Sequence, residues 1–306
     1  MKEVALKTNG LTKEYGKFKA LDGANMTVYR GDIYGLIGRN GAGKTTIMKT
    51  VTGLTNPTSG SYEIFGTDGK DIGKEKRRLG CLIENPAFFS NLTGEQNLLY
   101  YCKLKGITDK KKIDEALELV DLLEAKKKKF KAYSLGMKQR LGIALAILDN
   151  PDLIILDEPI NGLDPIGISK LRDTFKKINK EKNLTIMISS HILSELYAVA
   201  NRFLFIDQGK VIKEVTKEEL DDECSRCLVI EVNDVKKALS VLERNLGIRR
   251  YKVVDEKIIR IYDEIDNRAA VNRELVINDI SVSGLHESGV SLEEYFKGLI
   301  KEENND

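Results

Sequence analysis

Apolar residues recur along this chain with two spacings, and the order in which those spacings alternate predicts an α/β architecture. Alternating apolar and polar residues at Val4 to Thr8 and Asn25 to Tyr29, bounded by turn dipeptides at Asn9-Gly10, Asp22-Gly23 and Arg30-Gly31, read as antiparallel strands. Ile33-Tyr34-Gly35-Leu36-Ile37 follows as an unbroken apolar run, the pattern of a strand buried on both faces. Strands at Ser61 to Phe65 and Gly80 to Ile83 precede three stretches of helical spacing near Thr93 to Lys105, Lys111 to Leu123 and Ser134 to Leu148. These three predict a helical lobe over about residues 90–150. Leu153-Ile154-Ile155-Leu156 is a second buried strand, expected beside Ile33 to Ile37. After it come a helix from Ile168 to Ile178, a strand Thr185 to Ser189, a helix Ile192 to Ala200 and strands Arg202 to Asp207 and Val211 to Val215. Strands alternating with helices imply a mainly parallel sheet.

The pattern changes near Thr216, which divides a first domain, 1–216, from a smaller α+β domain, 217–306. A charged helix, Lys217 to Asp222, leads into strand Leu228 to Val232, helix Val235 to Leu246, strands Tyr251 to Val254 and Ile258 to Tyr262, helix Asn267 to Val276, strand Ile280 to Leu285 and helix Leu292 to Ile300. The β-α-β-β-α-β order resembles a ferredoxin-like unit and carries no catalytic motif.

Composition narrows the function classes. With 42% hydrophobic and 31% charged residues the 306-residue chain is of ordinary globular make-up. A net charge of +2, from 49 basic and 47 acidic residues, supplies no bulk field for nucleic acid, and no such partner is expected. Apolar runs such as Leu141 to Leu148 fall short of a membrane span, and Met1-Lys2-Glu3 does not start a signal peptide, so a cytoplasmic location is expected. Cys224-Ser225-Arg226-Cys227 lacks the further ligands of a metal site and the strand-to-helix context of a redox pair. The lysine run Lys126 to Lys129, extended by Lys131, reads as a solvated loop.

Chemistry enters at Gly38-Arg39-Asn40-Gly41-Ala42-Gly43-Lys44-Thr45, which fits the phosphate-binding loop pattern between a buried strand and a helix beginning at Thr46. The glycines let successive N–H groups converge on phosphate oxygens, Lys44 adds a point charge, and Thr45 offers a hydroxyl to Mg²⁺. The helix sets its positive end toward the anion. Asp157 and Glu158 end the second buried strand, where one carboxylate can hold metal through water and the other polarise the attacking water.

Taken together, these motifs make residues Val4 to Val215 similar to the nucleotide-binding subunit of an ATP-binding cassette (ABC) transporter. Tyr15 matches the aromatic position that stacks on adenine; on its own it reads equally as a strand aromatic. Tyr133-Ser134-Leu135-Gly136-Met137-Lys138-Gln139-Arg140 occupies the place of the family signature, with Ser134 and Gly136 matching its serine and second glycine. Asn161-Gly162-Leu163-Asp164 matches the loop after the catalytic glutamate, and His191 matches the switch histidine; His286 has no such context. The resemblance implies ATP with Mg²⁺. Nucleotide contacts are implied for Tyr15, Gly38, Arg39, Asn40, Gly41, Ala42, Gly43, Lys44, Thr45, Thr46, Ser134, Gly136, Met137 and Asp164, metal contacts for Thr45, Glu84 and Asp157, and catalysis for Glu158 and His191. The implied fold is a phosphate-loop nucleotide-binding domain with a mainly parallel core sheet, an N-terminal antiparallel part and an inserted helical lobe. Implied partners are a second copy or a related ATPase subunit, and an integral membrane permease reached from the cytoplasmic face.

Three departures shape the reading further. Leu135 stands in place of the signature's first glycine, Met137 in place of its glutamine, and Glu84 in the loop that usually carries glutamine. Glu84, the run Asn85-Pro86-Ala87-Phe88 and Ser134 to Met137 together resemble the bacitracin and lantibiotic resistance branch. A soluble cassette ATPase acting on ribosomes or DNA is the rival class. Its ribosomal form carries two cassettes, and its chromosomal form puts a long coiled coil between loop and carboxylates, where this chain has only about 110 residues. A GTPase would need a guanine-selecting Asn-Lys-x-Asp segment, and Asn179-Lys180-Glu181-Lys182 lacks the aspartate.

Overall fold

Two long strands, β1 (Val4–Tyr15) and β2 (Phe18–Tyr29), pair antiparallel and open the chain as a hairpin. Both run well beyond the five-residue segments the alternation predicts, because register shifts at Thr8/Leu11, Leu11/Lys13 and Lys13/Glu14 interrupt the in-out pattern without ending the ladder. β3 (Ile33–Ile37) follows, buried at every residue, and then α1 (Lys44–Val51), β4 (Ser59–Ile64), β5 (Thr67–Asp68), α2 (Ile72–Glu75) and β6 (Leu79–Leu82). The computed structural model describes residues 2–68, 72–84 and 87–303. Asn85 and Pro86, which contribute to the branch resemblance, lie outside the described residues.

The helical lobe holds α3 (Gly94–Lys105), α4 (Lys111–Leu119) and α5 (Leu135–Ile147). Thr93 and Gln96 cap α3 reciprocally: Gln96 N–H donates to Thr93 Oγ1 at 3.1 Å and Thr93 N–H donates to Gln96 Oε1 at 2.9 Å. α4 stops four residues short of the predicted Leu123, because Asp121 takes a left-handed conformation with φ 56°. Among the lysine run, Lys126 pairs with Asp114 at 2.7 Å, while Lys127, Lys128, Lys129 and Lys131 are exposed.

β7 (Leu153–Leu156), α6 (Pro165–Lys182), β8 (Thr185–Ser190), α7 (Leu193–Tyr197), β9 (Arg202–Asp207) and β10 (Lys210–Thr216) complete the first unit's secondary structure. α6 begins before the predicted Ile168: Asp164 Oδ1 accepts from Gly167 N–H at 3.0 Å, and Pro165 supplies the fixed φ of a first helical residue. The main sheet has the order β10-β9-β3-β8-β7-β6, parallel except for β10 against β9, and a second sheet runs β2-β1-β4-β5. The expected neighbourhood of β3 and β7 is therefore corrected, since β8 lies between them. All six β8 residues are buried, so the strand is satisfied only by ladders on both edges, Ile186 opposite Ile33 on one side and Ile154 on the other. Between the two sheets, α1 buries Ile47, Met48 and Val51 against Leu6, Leu21 and Met26 above and Leu153, Ile155 and Met187 below.

Glu218–Gly298 form a second compact unit, and Met1–Lys217 with the segment from Leu299 form the first. α8 (Lys217–Cys224) leads to β11 (Cys227–Val232), α9 (Val235–Asn245), β12 (Tyr251–Val253), β13 (Ile258–Ile261), α10 (Arg268–Ile277), β14 (Val282–Ser288) and α11 (Leu292–Glu303). The sheet order β12-β13-β11-β14, antiparallel throughout, is that of a ferredoxin-like split βαβ unit. Its own core joins Leu228, Ile230, Ile259 and Ile261 to Ala238, Leu242 and Leu275 of the two helices. None of Cys81, Cys102, Cys224 and Cys227 is in a disulfide, and His286 is exposed.

Candidate active site

β3 delivers the loop Gly38 to Gly43 to the N-terminus of α1, in the order strand, turn, helix. Two glycines there are needed for reasons of space. A Cβ at Gly38 would meet the Ile206 carbonyl oxygen at 2.5 Å, and Gly43, with φ 109°, would meet the Ala20 carbonyl oxygen at 2.8 Å. Tyr15, Phe18, Ala20, Arg39 to Thr46 and Glu158 line one cavity of about 300 Å³ over this loop. The Gly16-Lys17 turn places Phe18 directly opposite Tyr15 at the cavity's outer wall, both of them half or more exposed. Phe18 escapes the motif reading; the signal for it is the two-residue turn, which forces its flanking aromatics into register.

Three contacts tie α1 and the loop to the carboxylate edge. Buried Lys44 donates from Nζ to the carbonyl oxygens of Gly38 at 2.7 Å and Arg39 at 3.2 Å, and lies 3.1 Å from Glu158 Oε1 in an ion pair off the hydrogen-bond line. Thr45 Oγ1 donates to Asp157 Oδ2 at 2.7 Å. Ser189, on the intervening strand β8, donates from Oγ to Asp157 Oδ1 at 2.6 Å and accepts from Glu158 N–H at 2.8 Å. That serine bridges the gap opened by the inserted strand, and the sequence shows it only as a neighbour of His191. Glu158 sits in the left-handed region with φ 46°, held there by the Ser189 contact, and its Oε2 meets His191 Nδ1 at 2.9 Å. Glu84 also has positive φ, 62°, and its carboxylate is engaged by Lys49 on α1 rather than by Thr45 or Asp157.

Thr45 and Asp157 fit a small hard cation: two adjacent oxygen donors, with phosphate oxygens and water to complete an octahedron. No group of three or more His, Cys, Asp or Glu side chains that could hold a metal unaided occurs among the described residues.

The remaining motif residues gather elsewhere on the same unit. Ser134 caps α5, its Oγ accepting from Met137 N–H at 3.3 Å, and Met137 contributes through that N–H. Ser134, Leu135, Gly136, Gly162, Asp164 and Lys170 are among the residues around a separate cavity of about 370 Å³. Leu135 leans on Gly162, where a Cβ would meet the Leu135 Cδ2 methyl at 3.1 Å. Loop residues and signature residues of one chain thus line two cavities, not one.

A buried parallel strand feeding a glycine loop into a helix, with paired carboxylates at the same sheet edge, defines a phosphate-loop nucleoside triphosphatase. Residues 21–161 match the ABC transporter domain family. The chain is 45% identical over 296 residues to the bacitracin transport ATP-binding protein BcrA of Bacillus licheniformis, covering 96% of this chain and 97% of that one. It is 45% identical over 209 residues to the lantibiotic transport ATP-binding protein SrtF of Streptococcus pyogenes, covering 68% and 90%. Among solved structures, CbiO1 from Clostridium perfringens, part of the ABC transporter complex CbiONQ, superposes with TM-score 0.65 at 26% identity over 80% of this chain and 97% of that one. The ATP-binding cassette MJ0796, dimeric and bound to ADP and Pi, gives 0.61 at 25% over 69% and 98%. This chain belongs to the ABC transporter family as an ATP-binding, ATP-hydrolysing subunit. No helix among the described residues is long and apolar enough to cross a membrane.

Proposed function

We propose that the chain energises a separate membrane permease, from the cytoplasmic face, for export of or immunity to an antimicrobial peptide of the bacitracin or lantibiotic type. The observation that carries this reading is the full-length likeness to a bacitracin transport subunit, C-terminal unit included. The 209 residues aligned with the lantibiotic subunit cannot span both units, which favours the bacitracin side of the pair.

In this reading the two cavities are complementary halves. ATP lies on the phosphate loop of one subunit, Tyr15 against adenine, and meets Ser134 and Gly136 of a second copy or a related subunit, where the α5 helix end faces phosphate. Bound phosphate competes for the Lys44 ammonium, which leaves the Gly38 and Arg39 carbonyls and Glu158. Glu158, still oriented by His191 and by its N–H on Ser189, then has a free carboxylate oxygen with which to take a proton from the attacking water. When bound at Thr45 and Asp157, Mg²⁺ supplies charge neutralisation on the phosphates.

Purification of the chain produced together with its cognate membrane proteins tests the assignment. A multi-span protein should copurify and stimulate ATP hydrolysis on addition of the peptide. Retention on ribosomes or DNA instead, with no membrane partner, would replace it. GTP outcompeting ATP would remove the adenine role of Tyr15.

A further inference from the structure

The carboxylate edge carries one more acidic residue than the phosphate chemistry needs, and α1 answers it with one more cation. β6 and β7 pair in parallel with Leu82 opposite Leu156, and Asp157 N–H donates to the Leu82 carbonyl oxygen at 2.8 Å. Two residues past each paired position the strands present Glu84 and Glu158, both with positive φ, so Glu84 leaves the sheet at the same end as Asp157 and Glu158. Facing them, Thr45 and Lys49 are one helical turn apart on a single side of α1. Thr45 reaches Asp157, Lys49 Nζ reaches Glu84 Oε1 at 2.5 Å, and Lys44 at the helix start reaches Glu158. Each acidic residue of the edge thus has its own partner on α1.

We infer that Lys49 is the positioning residue that lets a glutamate occupy the Glu84 site: the Lys49–Glu84 pair is neutral as a unit, and it keeps the Glu84 carboxylate from opposing the triphosphate. The hydrogen bond that Lys49 donates to Glu84 raises the Lys49 pKa, and Tyr15 and Asp157 push in the same direction, so the ammonium sits within electrostatic range of the nucleotide cavity as well as of Glu84. Removing Lys49 leaves an uncompensated negative charge beside the phosphates; removing both charges does not.

This inference rests on the ATPase reading above and is tested on the full chain by a double-substitution cycle. Binding of Mg-ATP and ATPase activity in the presence of the permease are measured for the native chain, Lys49→Met, Lys49→Arg, Glu84→Gln and Lys49→Met/Glu84→Gln. Lys49→Met should weaken Mg-ATP binding about tenfold at low salt, and less at high salt. Lys49→Arg should hold to within about threefold, and adding Glu84→Gln should recover most of what Lys49→Met loses. Native-like binding by Lys49→Met, or a double variant as weak as the single one, overturns the inference. A native chain that binds no nucleotide would instead overturn the ATPase reading. Matched thermal melts of all variants distinguish a folding defect, which Glu84→Gln would not repair.

Discussion

The phosphate-loop cavity and the signature cavity share one unit and are built in opposite ways. At the loop, the charged groups of the edge are engaged within the chain: Lys44 with Glu158, Thr45 with Asp157, Lys49 with Glu84, and Ser189 pinning both Asp157 and Glu158. At the signature, a capped helix end lies beside exposed Leu135 and Ile166, with Gly136, Gly162, Arg140, Asp164 and Lys170 around it and no phosphate loop. The charged groups of the first cavity are positioned by contacts within the chain. In the proposed function the second becomes a site only against another surface, and that difference would separate binding from turnover.

Glu158→Gln should widen the contrast most, lowering turnover by on the order of 10² to 10⁴ while ATP binding persists and association is favoured. Steady-state ATPase with size-exclusion chromatography in ATP checks it, and unchanged turnover removes Glu158 as the base. Ser134→Arg should cost about 10² or more in turnover while the same chain still loads ATP on its own loop. Equal loss of ATP affinity in the isolated chain would show that the two cavities are not independent. Tyr15→Ala should weaken ATP binding by about tenfold, the scale of one lost base stack, and Phe18→Ala by less. Titration with a fluorescent ATP analogue measures both.

The smallest effect falls outside both cavities and serves as the control. Burial raises the Glu214 carboxyl pKa, against the opposing pull of Arg202 and the Tyr34 hydroxyl. Since its folded pKa lies above its unfolded one, its contribution favours folding only at low pH and is lost as pH rises through the folded value. Glu214→Gln should therefore raise the melting midpoint by about 2 °C at neutral pH and give no gain near pH 4. Calorimetry at the two pH values reads it, with ATP affinity unchanged.

Buried strands were legible because four to six consecutive apolar residues leave few alternatives, as β3, β7 and β8 show. Their lateral order was not, since a run buried on both faces carries no mark of its neighbours, and β8 took the place expected of β7. Motif residues joined by local geometry, Gly38 to Thr46 or Ser134 to Met137, were readable for the same reason that they are motifs. Ser189 on Asp157, Lys49 on Glu84 and Phe18 against Tyr15 depend on side chains meeting across turns or sheets, and spacing does not encode those encounters.

The inserted strand also governs when the site can exist. Ser189 arrives about 150 residues after the phosphate loop, so during synthesis the loop and the α1 segment emerge long before the strand that separates and holds the carboxylates can enter the sheet. A nascent chain that has emerged only as far as β7 has both motifs in its sequence and no clamp to join them. Nucleotide capture is thereby a late event in folding, and a bound ligand reports that β8 has entered the sheet.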